Sequence, residues 1–297
     1  MTWPDAEVLV DEALVREMLS DQFPELAGLP LRVAGEGFDN FLFRLGELHA
    51  VRLPRRARGV EPLENELRWL AVAASDVALA TPLPVLAGSP CAHYTWPWMI
   101  TSWIEGVSGD EVDDDWLCGC ASALATFLRE LHVTAPDGAP VNPWRSVPLA
   151  QRASDLESRL EQLGGEIDTT NAWSLFEWAS VSTPRCSAPT WLHGDVHPGN
   201  LVFREQQLVG IVDFGDLCAG DPATDLAGAL LTLPYDELAS FFNAYGINDD
   251  STLARTIGWA VLFGTMMVGL GRASRPRYMR VGQRALANAT RFASTLR

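Results

Sequence analysis

A chain of 297 residues with 47% hydrophobic and 20% charged residues carries enough apolar material for a large core, which excludes a disordered or fibrous protein. Its net charge of −16 argues against nucleic acid or an anionic membrane as partner and is compatible with a cationic one. The cysteines, at 91, 118, 120, 186 and 218, give no paired framework, and the N-terminus has no basic-then-apolar leader pattern. Reduced thiols in a cytoplasmic protein are therefore expected.

In chain order, residues 6–20 predict a helix, with Val8, Leu9, Ala13, Leu14, Met18 and Leu19 at helical spacings. From Leu31 the pattern changes to short apolar runs, LRVAGEGF, NFLFRLG and LHAVRLP, which predict three closely spaced strands. Glu61–Ala74 returns to helix with Pro62 in its first turn, and the runs Val77–Leu86 and Trp96–Trp103 are two more candidate strands. Residues 1–103 thus predict a small sheet-rich lobe with one important helix. Residues 104–297 predict a larger, mainly helical lobe, with helices near Asp113–His132, Leu149–Leu163, Ala172–Val181, Asp221–Leu233, Tyr235–Tyr245, Leu253–Gly269 and Arg277–Thr295. A hairpin of Leu201–Phe203 and Leu208–Val212 interrupts them, and Thr134–Pro148 reads as a surface connection. The uncharged run Thr256–Gly271 falls short of the roughly 20 residues that cross a bilayer and predicts a buried helix. The expected class is α+β, two-lobed.

The chemistry concentrates in His193-Gly194-Asp195-Val196-His197-Pro198-Gly199-Asn200 and, after the hairpin, Asp213-Phe214-Gly215. An Asp, an Asn five residues on, and an Asp-Phe-Gly beyond one short hairpin form the layout of a kinase phosphoryl-transfer centre. Asp195 is the candidate base, since a hydroxyl attacking phosphorus needs its proton accepted and its lone pair aimed. Asn200 and Asp213 offer the hard oxygen donors that Mg²⁺ takes alongside phosphate and water. Phe214 should anchor the loop by packing. His193 is expected to be structural, whereas His197, two residues after Asp195, could donate a hydrogen bond to the transferring group. Asp225, at the start of a helix, should accept backbone N–H bonds beneath the loop.

These motifs, HGDVHPGN, IVDFGD and DPATDLA, are similar to those of the aminoglycoside phosphotransferase family, the small-molecule branch of the protein-kinase-like fold. The resemblance runs over nearly the whole chain. It implies a nucleoside triphosphate, ATP or GTP, with Mg²⁺, and a nucleotide site in the first lobe. Gly35 and Gly37 would belong to a phosphate-covering loop whose third glycine is replaced by Asn40. All 22 basic residues are Arg and none is Lys, so Arg52 stands where a kinase Lys would contact the α- and β-phosphates. It would pair with Glu66 on the next helix, with Glu64 as the other candidate. Met99–Ile104, including Thr101 and Trp103, would be the hinge that reads the base through its backbone.

Asp225 comes only twelve residues after Asp213, too few for a peptide-docking activation segment, so the acceptor should be a hydroxylated small molecule. An aminoglycoside-type antibiotic is the leading expectation. A macrolide, or a choline- or homoserine-like metabolite, is the alternative, and a nucleotide-binding pseudokinase is a second class. The acidic run Asp110–Asp115 and the pair Asp249-Asp250 could hold an amino sugar, or could be helix N-termini facing water.

Overall fold

The computed structural model describes residues 4–185, 187–247, 249–273 and 275–296. Cys186 lies outside the described residues. The first helix, α1 (Glu12–Gln22), starts later than the apolar spacing predicts, because Asp11 caps it by accepting the Leu14 N–H at 2.9 Å. A five-stranded antiparallel sheet follows: β1 (Leu31–Glu36), β2 (Asn40–Leu45), β3 (His49–Pro54), β4 (Pro84–Gly88) and β5 (Trp98–Ser102), in the order β1-β2-β3-β5-β4. The alternation of a pleated strand assigns its two faces. Phe43, Leu45, Val51, Leu53, Trp98 and Ile100 are buried together with Val15, Met18 and Leu19 of α1. Arg52, Met99 and Thr101 occupy the intervening positions, on the other face, and α2 (Val60–Ala73) packs against β4 and β5. Arg52 is therefore held on the side that receives the helix.

Val77–Leu86 is not a strand over its expected length. Pro82 and Pro84 have no N–H to give a ladder, so β4 begins only at Pro84. Ala80 instead bonds across to the later hairpin, donating to Val209 O at 3.1 Å and accepting from Ile211 N at 3.0 Å.

Beyond the sheet, β6 (Val107–Ser108) pairs with β8 (Leu201–Arg204), which forms the expected hairpin with β9 (Gln207–Ile211). The helix expected over Asp113–His132 is two, α3 (Asp114–Cys118) and α4 (Ala121–Leu131), broken at Gly119. α5 (Ala153–Gln162) and α6 (Thr169–Ser180) come next, the latter capped by Asp168. Two short strands not anticipated from the sequence, β7 (Thr190–Leu192) and β10 (Cys218–Gly220), pair antiparallel and close the two ends of the motif region. The remaining helices are α7 (Ala223–Thr232), α8 (Leu238–Tyr245), α9 (Asp250–Ala273) and α10 (Pro276–Leu296).

Helix α9 extends past both predicted ends and is long and apolar enough to cross a membrane, yet it is buried against α6, α7 and α10. Gly282 lets α10 approach it closely, since a Cβ there would lie 2.5 Å from Gly264 O.

Candidate active site

The loop from His193 to Asn200 hangs between β7 and β8, and its backbone is fixed from below by Asp225 in the first turn of α7. Asp225 is buried and accepts the His193 N–H at 2.7 Å on Oδ2 and the Gly194 N–H at 2.8 Å on Oδ1. His132 adds a third donor, its Nε2 lying 3.1 Å from Oδ2, while its Nδ1 meets the Tyr245 hydroxyl at 2.8 Å. Gly194 is left-handed (φ 84°), and a Cβ on it would lie 2.5 Å from Asp216 O, so only glycine fits where the two strand ends converge. The fully buried His193 takes the Asp195 N–H on Nδ1 at 3.2 Å and reaches Val212 O with Nε2 at 3.1 Å. These bonds define the neutral Nε2–H tautomer. Its ring packs 4.4 Å from that of buried Phe214. Both residues hold the loop, as the sequence leads one to expect.

Asn200 turns its amide nitrogen toward Asp195, at 2.8 Å from the backbone oxygen and 3.3 Å from Oδ2. That orientation leaves Oδ1 as its donor for a metal. Asp213 is left-handed (φ 66°), an uncommon conformation for a residue with a side chain, and its carboxylate is 51% exposed. Among the described residues no cluster of three His, Cys, Asp or Glu could hold a metal. One amide oxygen and one open carboxylate nevertheless suit Mg²⁺, which draws most of its six ligands from phosphate and water.

Charges around Asp195 decide its state. Burial works to raise its pKa, but His197 (Nε2 3.5 Å from Oδ2) and Arg145 (Nη2 3.7 Å from Oδ1) outweigh that and hold the carboxyl well below its usual range. It is ionised at neutral pH. For His197, burial lowers the pKa while Asp195, Asp110 and Asp213 raise it, for a net upward shift. The Gly199 N–H faces its Nδ1 at 3.0 Å. His197 Nε2–H is thus the group aimed at Asp195.

The first lobe meets this cluster through Arg52. Its Nη1 donates to Glu66 at 2.5 Å and its Nη2 stands 3.6 Å from Asp213 Oδ1. Glu66 is completely buried, whereas Glu64 is exposed, which settles the pairing. Gly35 lies within β1, paired with Leu42, and Gly37 opens the β1–β2 turn, where it accepts from buried Arg55 at 3.3 Å and donates to Asn40 O at 2.8 Å. Arg56 and Arg58 extend the grip: Arg56 pairs with Asp39, and both guanidinium groups lie over the Phe38 ring, at 4.8 and 5.8 Å. Thr101 is buried in β5. Trp103 donates its indole N–H to Glu105 at 3.0 Å under the Arg44 guanidinium, and its backbone N–H to Leu48 O at 2.7 Å. Gly35, Gly37, Thr101 and Trp103 thus lie in or beside the sheet, and it is Arg52 that joins Glu66 to Asp213.

The sequence profile of the "Phosphotransferase enzyme family" matches residues 30–260, most of the chain. The chain belongs to that family. An aminoglycoside 3'-phosphotransferase of Escherichia coli is 30% identical over 136 residues, covering 44% of this chain and 50% of that protein. A homoserine kinase of Gluconacetobacter diazotrophicus is 30% identical over 222 residues, 70% of this chain and 62% of the kinase. The chain thus spans about half the length of the first of these relatives. Among solved structures, the GDP complex of wild-type aminoglycoside 2'-phosphotransferase-IIIa superimposes with a TM-score of 0.69 at 21% identity, over 96% of this chain and 99% of that one. A macrolide 2'-phosphotransferase from Brachybacterium faecium gives 0.60 at 20% identity, over 91% and 97%. Both confirm a kinase-like, two-lobed α+β fold.

Several residues of this site have no motif to mark them. Arg145 lies in the stretch expected to be a surface connection, yet its guanidinium is directed inward to Gly194, Asp195 and Asp216. Arg277 and Tyr278 reach the site from the first turn of α10. Arg277 pairs with Asp110 at 2.9 Å and Glu111 at 3.2 Å, and the Tyr278 ring meets the His197 ring edge-on at 5.9 Å. The acidic run is therefore divided. Asp110 is buried and neutralised beside the site, while Asp113–Asp115 begin α3, with Asp114 paired to Arg284. Asp249 caps α9 by accepting the Thr252 N–H at 2.8 Å.

Proposed function

We propose that the chain transfers the terminal phosphoryl group of ATP or GTP to a hydroxyl of a small molecule in a Mg²⁺-dependent reaction, with an aminoglycoside-type compound as acceptor. The observation that carries this reading is the convergence of Asp195, Asn200 and Asp213: Asn200 Nδ2 lies 3.3 Å from Asp195 Oδ2, and the N–H of Val212, next to Asp213, donates to Asn200 O at 2.9 Å. Asn200 Oδ1 and the Asp213 carboxylate would hold the metal, which neutralises phosphate charge when bound. Residues 1–103 would bind the nucleotide, with Arg52 aimed toward its phosphates and the β1–β2 turn above them, and residues 104–297 would bind the acceptor. The ionised Asp195 accepts a hydrogen bond from the attacking hydroxyl and so aims its lone pair. Because the transition state is loose, the proton leaves late and a weakly basic carboxylate suffices. His197 steadies that carboxylate through Nε2–H.

Support for an aminoglycoside comes from the Escherichia coli relative and from the acidic chain, which favours a cationic acceptor. A second reading, a small amino alcohol such as homoserine, is favoured by the longer match to a homoserine kinase and by the neutralisation of Asp110 and Glu111 by Arg277. An enzyme acting on neither nucleic acid nor membrane agrees with the net charge of −16, and a cytoplasmic one with the odd number of cysteines. The test is a transfer screen with MgATP and MgGTP against aminoglycosides, macrolides, choline and homoserine, read by mass spectrometry. Gain of one phosphoryl group by an aminoglycoside supports the first reading. Gain by homoserine alone replaces it with the second, and no gain by any acceptor refutes both.

A further inference from the structure

Arg145 belongs to none of the motifs, yet its guanidinium lies against the loop at Gly194 and Asp195. Its own loop is pinned for that purpose. Ala135 N donates to Pro189 O at 3.1 Å, Ala219 N to Pro140 O at 2.9 Å, and Asn142 Nδ2 to Asp216 Oδ1 at 2.8 Å. The side chain of Asn142 also accepts the Trp144 N–H at 2.8 Å, turning the backbone so that Arg145 points inward. Its guanidinium lies 4.9 Å from the centre of the Phe263 ring on α9 and is 11% exposed.

From there one planar fork serves three groups. Nε donates to Gly194 O at 2.6 Å, and Nη2 lies 2.9 Å from Asp216 Oδ2 and 3.7 Å from Asp195 Oδ1. Gly194 O belongs to the peptide that leads into Asp195, so fixing that carbonyl fixes the direction in which the Asp195 side chain leaves the backbone. The positive charge also stands between two carboxylates that would otherwise repel one another. We propose that Arg145 is a positioning residue for Asp195, holding both its preceding peptide and its carboxylate in the orientation that meets the acceptor hydroxyl. This rests on the phosphotransferase reading, because it requires Asp195 to face an acceptor. An ammonium could supply the charge, but it lacks the fork that spans a carbonyl and two carboxylates at once.

The full chain is assayed for transfer from MgATP and MgGTP to kanamycin, to homoserine and to water, as wild type, Arg145→Lys and Arg145→Ala. With the base misaimed, kcat in Arg145→Ala falls about 10²-fold while the nucleotide KM is unchanged. Arg145→Lys loses less and keeps a Tm near wild type, and guanidinium ion restores part of the activity of Arg145→Ala. If Arg145→Ala does not fold, Arg145→Lys decides alone: a fall in kcat without a change in nucleotide KM supports the proposal. Wild-type kcat in either folded variant overturns it, as does loss of kcat matched by a rise in nucleotide KM, or a folded Arg145→Ala that guanidinium does not rescue. A wild-type chain inactive in every arm overturns the phosphotransferase reading and this proposal with it. An active wild type with unaffected variants overturns the role of Arg145 alone.

Discussion

Asp225 offers the sharpest test of how the loop is held. Its carboxylate accepts three N–H groups, from His193, Gly194 and His132, in a place closed to water. Asp225→Asn replaces one oxygen with a donor, so whichever way the amide turns, at least one of those N–H groups faces an NH₂. One buried donor left unpaired costs about 1–3 kcal/mol. Asp225→Ala orphans all three, on the order of 3–9 kcal/mol, a large part of the ~5–15 kcal/mol that separates folded from unfolded protein. Urea denaturation of the Asn variant should therefore show a lower midpoint with an unchanged m-value. The same change releases the peptide ahead of Asp195, so kcat should fall about 10²-fold in a chain that remains folded. An Asn variant within about 0.5 kcal/mol of wild type and with wild-type kcat would refute the account, because the bonds would then be replaceable by water.

Asp195→Asn, which keeps shape and removes the acceptor charge, should lower kcat by about 10²–10⁴-fold with little change in nucleotide affinity, measured by steady-state transfer and nucleotide titration. The depressed pKa of Asp195 sets a pH window. Its charge contributes stability above the unfolded value near pH ~4, and that contribution is lost as pH falls through the lower folded value. A kcat profile should then show no acid limb from this group above about pH 5, and one that vanishes in Asp195→Asn would contradict the assignment. Arg52→Ala leaves Glu66 buried and unpaired, which should cost about 3–5 kcal/mol in thermal or urea unfolding, while Arg52→Lys, which keeps the charge, should cost much less.

Elements with strong periodicity were legible in the sequence, and those whose ends depend on partners were not. β1 to β3 and the β8–β9 hairpin fall where the apolar runs place them, since alternation over a half-buried sheet leaves a two-residue pattern. The start of α1 was misplaced because Val8 and Leu9 continue the apolar spacing, while Asp11 caps the helix after them. β7 and β10 are three residues each, too short for any period, and exist because they pair with one another. The prolines at 82 and 84 were the missed signal for the late start of β4, since neither can complete a ladder.

The candidate site divides along the same line. Asp195, Asn200, Asp213 and Asp225 sit within one stretch of chain, so their spacing already carries their geometry. Arg52 and Glu66 could be placed only through the family resemblance, which left Glu64 open until burial separated the two. Arg145 and Arg277 carry no such signature: each is a lone Arg in a chain whose every basic residue is Arg, and each reaches the loop by a long-range fold contact. The composition that hides them also shapes the centre. With no Lys available, a point charge is replaced by forks, and each fork can tie together elements that an ammonium would serve singly. Arg52 ties α2 to Asp213, Arg145 ties the loop to the turn after Asp213, and Arg277 ties α10 to Asp110 beside His197. Three guanidinium groups thus approach the same group of carboxylates from three elements, which is how a centre so rich in acid is held together.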